Sequence, residues 1–374
     1  MKITIATGPI HAFPPHGAAG VQKVFSVLAR QFVARGHSVA VLARAWPGQC
    51  AEEASAGMTI LRRGGYEQGT NIWVDLLKDL FYAVRAQRFV PEGDVVVVND
   101  FWLPVLLGRC RKRPGKLVVA AHRFPKNQYW MYRLVDAIIA VSKPVAAAIC
   151  LQQPDLAPKV FTINNPLDTS ELRFQHRSDH KRLVIGSLGR LHPEKGAHLL
   201  VESFRRLVAK GVDVELRIAG PWQKAAGGGG REYFDRLKAL GQGLPAQIIG
   251  PLRDDEVPDF YGSIDIFCLP SLADQGEAMP LAPLEAMACG AVPIVSQIEA
   301  FMEYIEVGVN GLVFNHRAKD APDLLANALE KLVSDPEKRA AMSVAARDTA
   351  ERFAPERISC QYLEVFDSIA GREA

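Results

Sequence analysis

At 374 residues the chain is longer than one typical hydrophobic core, and two domains of about 150 to 200 residues are expected. Its 48% hydrophobic and 23% charged residues suit a globular protein, and no apolar run approaches the roughly 18 to 20 residues of a membrane span. The net charge of +3 hides an asymmetry: residues 1–170 carry 20 Lys and Arg against 11 Asp and Glu, whereas the remainder carries 24 against 30. A basic first half suits an anionic partner such as a lipid surface, a phosphorylated acceptor or nucleic acid, or is simply unpatterned surface charge.

In chain order, KITIAT at the N-terminus reads as a β-branched strand, and the opening MKITIATGPI lacks the layout of a signal peptide, so a cytoplasmic location is expected. A loop from Gly8 to Gly20 leads into a helix over 21–35, where Val24, Phe25, Val27, Leu28, Phe32 and Val33 recur at helical spacing before Gly36. SVAVLA, DVVVVN (94–99), KLVVAA (116–121) and DAIIAVS (136–142) follow as strands, and their continuous apolar character suits a parallel sheet covered on both faces. The cluster Arg109, Arg111, Lys112 and Arg113, just before Pro114-Gly115, reads as a helix end or loop. The polar stretch around 165–182 lacks periodicity and marks a domain boundary.

Beyond it a second series runs RLVIGSLGR, AHLLVESFRRLVAKG, VELRIAG, YFDRLKALG, AQIIG, DIFCLPS, PLEAMACG, VPIVS and DLLANALEKLVSD, alternating strand and helix. Two such series imply two doubly wound domains facing each other. ERISCQYLEVFDSIA near the C-terminus is amphipathic and can reach back onto the first domain. Gly227–Gly230 reads as a flexible surface loop. The six cysteines form no C-x-x-C pair and lack zinc-ligand spacing with histidine, so no metal site is expected.

Three segments carry candidate chemistry. In SLADQGEAMPLAPLEAMACG, Glu277 and Glu285 stand eight residues apart and bracket a loop entering a helix near Pro283. Proline is tolerated in a helix's first turn, whose free amides form an anion site, and a carboxylate there can accept hydrogen bonds from a vicinal diol. The plain alternative is a helix-capping Glu285 and an exposed Glu277. In GSLGRLHPEKG, Arg190 and Lys195 follow a strand end at a spacing that can bring both cations over one pyrophosphate, or leave them as solvated loop cations; the P-loop pattern is absent. The loop GPIHAFPPHGAAG lacks G-x-G-x-x-G, which argues against a nicotinamide or flavin site, and His122 ends a strand at the same sheet edge.

Together these segments resemble the retaining glycosyltransferases of family four. The resemblance rests on AGVQKVFSVLARQFVARGHSVAVL, DAIIAVS with FTINNPLD, GSLGRLHPEKGAHLLVESF, EAMPLAPLEAMACG and VGVNGLVF, in order along nearly the whole chain. It implies an α/β chain of the GT-B fold, with two doubly wound Rossmann-like domains facing across a cleft. Residues 1–166, joined by a C-terminal helix over 355–374, would form the acceptor side, and residues 167–354 the nucleotide-sugar donor side. It implies transfer of a sugar, with retention and without metal or other cofactor, from a UDP- or GDP-linked donor to a glycan or lipid-linked acceptor. Such work belongs to polysaccharide or lipopolysaccharide assembly, with peripheral contact to the inner face of an anionic membrane. No nucleic acid partner is expected, because the basic half shows no recognition-helix or zinc-finger signature and its aromatics are not interleaved with its cations.

By the same resemblance Arg190 and Lys195 would bind the diphosphate, Glu285 the ribose, and Glu277 the transferred sugar. The amides of Leu281 and Ala282 would serve the phosphate or sugar, Gly20 would admit the donor closely, and His122 would face the sugar. The chain departs from the family at Pro280, where glycine is usual, and in the short segment between His122 and Asp136. Phe124, Tyr129 and Trp130 in that segment would line an acceptor cleft or a membrane-facing edge, or simply pack. Alternatives to transfer are a nucleotide-sugar epimerase and a non-catalytic sugar-nucleotide-binding subunit.

Overall fold

The computed structural model describes residues 1–15, 20–69, 71–170, 172–174 and 182–371. Parts of the first loop (16–19), of the domain boundary (171 and 175–181) and of the C-terminal tail (372–374) lie outside the described residues. The chain forms two compact units, one of residues 1–166 with 355–374 and one of residues 167–354.

The first unit opens with β1 (Lys2–Ala6), α1 (Gly20–Ala34) and β2 (Ser38–Ala43). A hairpin of β3 (Glu52–Ser55) and β4 (Met58–Arg62) follows, its turn made by Ala56 and Gly57 at φ 49° and 77°. Next come α2 (Ile72–Ala86), β5 (Val95–Val98), α3 (Leu103–Arg109), β6 (Lys116–Ala121), β7 (Ala137–Ala140), α4 (Lys143–Gln152) and β8 (Val160–Thr162). The strands lie in the order β3-β4-β2-β1-β5-β6-β7-β8, parallel except for the β3–β4 pair. Every residue of β5 and β7 is buried, as a sheet with two covered faces requires. The charged edge strand β3 carries Glu53, ion-paired at 2.8 Å with the buried Arg62, which suits an edge exposed to solvent.

The second unit contains β9 (Leu183–Leu188), α5 (Ala197–Ala209), β10 (Val214–Ala219), α6 (Arg231–Gly241), β11 (Ala246–Gly250), α7 (Val257–Gly262) and β12 (Ile266–Leu269). It continues with α8 (Ala282–Ala288), β13 (Val292–Ser296), β14 (Leu312–Phe314), α9 (Ala321–Ser334) and α10 (Pro336–Glu351). Its sheet is wholly parallel, in the order β11-β10-β9-β12-β13-β14. Leu200, Phe204, Leu216, Ile266, Ile294 and Leu329 lie in its buried core.

The last helix, α11 (Pro355–Ala370), belongs to the first unit. Tyr362 and Phe366 pack on Phe32 of α1, with ring centroids 6.4 and 5.8 Å away, and Arg35 donates to the Glu356 carbonyl at 2.9 Å.

The strand orders decide where chemistry can sit. After β9 the chain winds outward through β10 and β11, then returns to place β12 on the other side of β9. The loops leaving β9 and β12 therefore emerge side by side at the sheet's carboxyl edge, at the reversal of strand order where open α/β sheets bind ligands. In the first sheet the same reversal falls between β1 and β5.

Candidate functional site

At the carboxyl end of β9, Gly189 and Arg190 leave the sheet and a short 3-10 turn over Pro193–Lys195 follows, with the Glu194 amide donating to His192 Nδ1 at 3.3 Å. Gly196 then adopts φ 70°, and a Cβ there would lie 1.9 Å from the Pro270 carbonyl oxygen. This close approach packs the loop after β9 against the loop after β12. The Ser271 hydroxyl and the Leu272 amide both donate to the Glu194 carbonyl, at 3.3 and 2.7 Å.

The two loops bring Lys195 and Glu277 together across 82 residues of sequence. Lys195 Nζ donates to Glu277 Oε1 at 2.6 Å, with the side chains 15% and 4% exposed. Glu277 is thus a buried carboxylate, not an exposed loop residue. The loop carrying it is fastened at Asp274, which accepts from Arg317 at 2.6 Å and meets His316 Nε2 at 3.2 Å. Burial and the Arg317 charge hold the His316 ring below its ordinary pKa, against the pull of Asp274.

The chain then enters α8 one residue before Pro283. Pro280 replaces an N–H by a ring, but its carbonyl accepts the Tyr304 hydroxyl at 2.9 Å. Burial, reinforced by the negative charge of Glu277, pushes the Tyr304 phenol far up. Glu285, in the first turn of α8, accepts the hydroxyl of the fully buried Tyr261 at 2.6 Å. Burial, then the Glu285 charge, raises the Tyr261 phenol so strongly that it stays a donor and fixes the carboxylate's rotamer. A buried phenol is thus one of the groups that hold the carboxylate.

Each of the two candidate cations has a carboxylate partner: Lys195 pairs with Glu277, and Arg190 Nη2 pairs with Glu194 at 2.6 Å. Burial alone would raise the Glu194 carboxyl, but the Arg190 hydrogen bond and charge outweigh it, and the net shift is downward. Arg190 Nη1 donates to the Gly227 carbonyl at 2.6 Å. Gly227–Gly230 is consequently a packed turn, with Gly228 and Gly230 buried, and not a flexible surface loop. A Cβ on Gly228 would come within 2.3 Å of the Trp222 backbone, so the turn closes over that residue.

His122 and Gly20 belong to the first unit. His122 follows β6 and stands edge-on to Phe25 of α1, with centroids 5.4 Å apart. Burial and the neighbouring Arg123 charge press its pKa down to about 4, against a hydrogen bond with Asn165, so the ring is neutral near pH 7. Its Nε2 is buried without a hydrogen-bond partner among the described residues. Gly20 begins α1, and a Cβ there would meet nothing within 4 Å. Tyr129 is 3% exposed and packs on Tyr132 at 5.2 Å, which places it in the core and not along a cleft or membrane edge, whereas Trp130 is exposed.

The sequence reading missed Tyr261, Tyr304, Glu194, His316 and Arg317, each of which holds a candidate residue or its loop. Among the described residues no group of three His, Cys, Asp or Glu side chains could hold a metal ion. All six cysteines are free.

The family model described as "Glycosyl transferases group 1" matches residues 168–349, and that of "Glycosyltransferase Family 4" matches residues 18–171. A D-inositol 3-phosphate glycosyltransferase of Stackebrandtia nassauensis is 30% identical over 55% of this chain and 45% of its own length, so the chain matches less than half of that relative. The lipopolysaccharide core biosynthesis mannosyltransferase LpsB of Rhizobium meliloti is 27% identical over 64% of this chain and 68% of its own length. Among solved structures, Anabaena HepE in complex with UDP-glucose aligns with a TM-score of 0.73 at 19% identity, covering 98% of this chain and all of that one.

Proposed function

Because the chain belongs to the family-four glycosyltransferases and has their GT-B fold, we propose that it moves a sugar from a UDP- or GDP-linked donor to a hydroxyl of a glycan or lipid-linked acceptor, with retention and without a metal ion. The observation that carries this reading is the pair of anchored carboxylates at the switch edge of the second sheet, Glu277 on Lys195 and Glu285 on Tyr261.

The chemistry follows from what these groups still offer. An ammonium and a guanidinium keep further N–H donors after giving one or two to internal partners. With those remaining donors Lys195 and Arg190 hold the diphosphate. Glu285 accepts from the ribose hydroxyls and Glu277 from the hydroxyls of the transferred sugar, while the Leu281 and Ala282 amides face the phosphate or sugar. In the transfer the bond from the anomeric carbon to phosphate oxygen breaks, and the diphosphate leaves with the electron pair. The acceptor oxygen bonds to that carbon from the same face, and its proton passes to the departing phosphate oxygen. Lys195, Arg190 and the amides stabilise the charge that develops there. His122, neutral, offers a hydrogen bond to a sugar hydroxyl without adding charge, and Gly20 leaves room beside the first loop.

The donor reading is supported in kind by the UDP-glucose bound to Anabaena HepE, and a lipid- or glycan-linked acceptor by the lipopolysaccharide core biosynthesis in the name of LpsB. An acceptor of that sort brings the protein to an anionic membrane surface, consistent with the basic first half of the chain. The test is thermal unfolding with UDP and GDP. One of them should raise the melting temperature, and Glu285→Ala should abolish the rise. A melting temperature indifferent to both overturns the proposal. Incubation with nucleotide sugars should then give slow donor hydrolysis and, with acceptor, transfer; conversion of the donor into an epimer overturns it as well.

A further inference from the structure

Helix α2 is amphipathic in the opposite sense to a core helix. Its inner face carries polar bonds: Asp79, 5% exposed, accepts from the Trp102 amide at 3.2 Å and from the Tyr66 hydroxyl at 3.4 Å. The Trp102 indole in turn donates to the Leu76 carbonyl at 2.9 Å. Tyr82, Ala83 and Ala86 complete that buried side. The face turned away carries Trp73, Leu77, Phe81 and Val84, four residues at helical spacing, all exposed; Trp73 reaches 77% and Phe81 60%. Asn71 caps the helix by accepting from the Trp73 and Val74 amides at 3.0 and 3.4 Å, so the exposed aromatic sits on a formed first turn.

Basic side chains surround the stripe. Lys78 and Arg85 lie along its flank and Arg88 just past its end, and the Arg63 guanidinium stands over the exposed Phe89 ring at 5.1 Å. The end of α3 meets the same end of α2, with Cys110 Sγ donating to Gln87 Oε1 at 3.8 Å. Arg109 and Arg111 flank Cys110 at that contact, and Lys112 and Arg113 follow in the loop beyond. Four of these cations have carboxylate partners, Lys78 with Asp75, Arg63 with Glu52, Lys112 with Glu92 and Arg113 with Asp136, so the rim's net positive charge comes from Arg85, Arg88, Arg109 and Arg111.

We infer that the outer face of α2 is a docking surface for an anionic lipid bilayer, with Trp73, Leu77, Phe81 and Val84 entering the interface and the basic rim facing the headgroups. An apolar stripe edged by Lys and Arg, with a tryptophan at one end, is the composition of a helix that lies in a membrane surface. Charge argues against a second copy as the occupant, since a two-fold contact through this face would bring two basic rims together. The inference deepens the proposed acceptor by placing a membrane-linked one at a stated surface, and it rests on that reading. Through Asp79 and Trp102 the docking helix is tied to the loop after β5, at the switch edge of the first sheet.

The experiment is co-sedimentation of the full chain with vesicles of phosphatidylcholine, with and without phosphatidylglycerol, alongside donor hydrolysis in solution. The chain should pellet with the anionic vesicles, and added salt should weaken the association. A combined Trp73→Ser, Leu77→Ser, Phe81→Ser variant should lose about a hundredfold in vesicle affinity, from three part-buried side chains at about a kcal/mol or more each. Its circular dichroism and donor hydrolysis should be unchanged. Arg85→Glu with Arg88→Glu should remove at least about thirtyfold, confined to the anionic vesicles. Equal pelleting of the triple-serine variant overturns the inference, as does self-association of the chain that this variant abolishes. Donor hydrolysis by a chain that pellets with no vesicle overturns the docking surface and leaves the transferase reading intact. Vesicle binding by a chain that no nucleotide stabilises does the reverse.

Discussion

The Lys195–Glu277 pair gives the sharpest test, because its geometry makes opposite predictions for single and double variants. At 2.6 Å and an effective dielectric of about 20, the gross attraction is about 6 kcal/mol. Desolvating a carboxylate side chain that is 4% exposed takes back much of this, so the pair's net worth is small. Removing one partner is a different matter. Lys195→Met leaves Glu277 buried and uncompensated beside the loop that Tyr304 anchors, and should cost about 3 kcal/mol. Glu277→Gln leaves the ammonium, which is better exposed at 15%, and should cost about 1 to 2 kcal/mol. The double variant removes both charges and should return to within about 1 kcal/mol of the parent. Urea unfolding of the four proteins at one pH gives the coupling energy, expected to exceed about 2 kcal/mol. Additive costs, with coupling under about 0.5 kcal/mol, would refute the view that these side chains neutralise each other. The same double variant separates stability from function: it should fold, yet lose the thermal stabilisation by nucleoside diphosphate.

Other expectations follow from individual contacts. Tyr261→Phe removes the 2.6 Å hydrogen bond to Glu285 without a cavity, and should weaken nucleoside diphosphate binding about tenfold in a titration while melting within a few degrees of the parent. Equal affinity would mean that Glu285 needs no such orientation. His122, lowered to about 4 by burial and Arg123, takes its proton in the unfolded chain first as pH falls. Its contribution is therefore whole above about pH 6.5 and is lost progressively toward the folded value, by about 2 kcal/mol between pH 7 and pH 5. Urea midpoints of the parent and of His122→Gln should converge over that interval, and parallel pH profiles would contradict the assignment. Asp100 is raised well above the ordinary carboxyl value, chiefly by burial and next by Asp79. A group so raised favours the fold at low pH and loses that contribution as pH rises through its folded value. Asp100→Asn should thus gain stability relative to the parent as pH climbs from about 4 to about 8, read by the same unfolding measurement.

The sheets were legible because parallel strands covered on both faces must be apolar throughout, and VVVV of β5 or AIIA of β7 admits little else. Helices α1, α5 and α9 announce themselves by periodicity, since each buries one stripe against a sheet. Helix α2 defeated that logic. Its apolar residues face outward and its inner side holds Asp79 and Tyr82, so the pattern gives no inside from which to build a helix against the core. The β3–β4 hairpin was missed for another reason: Glu52 and Glu53 sit on an edge strand, where charge protects and does not disqualify.

In the candidate site, spacing along the chain singled out Arg190, Lys195, Glu277 and Glu285, but it gave no hint of which carboxylate each cation would meet. That pairing depends on strand order. Placing β12 beside β9 sets the loops after them edge to edge, and Gly196 allows the approach that puts Lys195 on Glu277. Tyr261 and Tyr304 come from elements before and after α8, and each is a phenol too deeply buried to stand out in a linear pattern. Tyr304 also changes the meaning of Pro280. Read in sequence, proline costs the loop an amide. In the fold its carbonyl is held at 2.9 Å by a phenol that burial and the Glu277 charge keep protonated. The loop from Glu277 to α8 is thus anchored by Lys195 at its start and by Tyr304 before the helix, and the ring narrows the backbone freedom between them. A glycine at that position would leave the same interval to be ordered by the substrate, so the replacement exchanges a backbone donor for a preset path to Glu285.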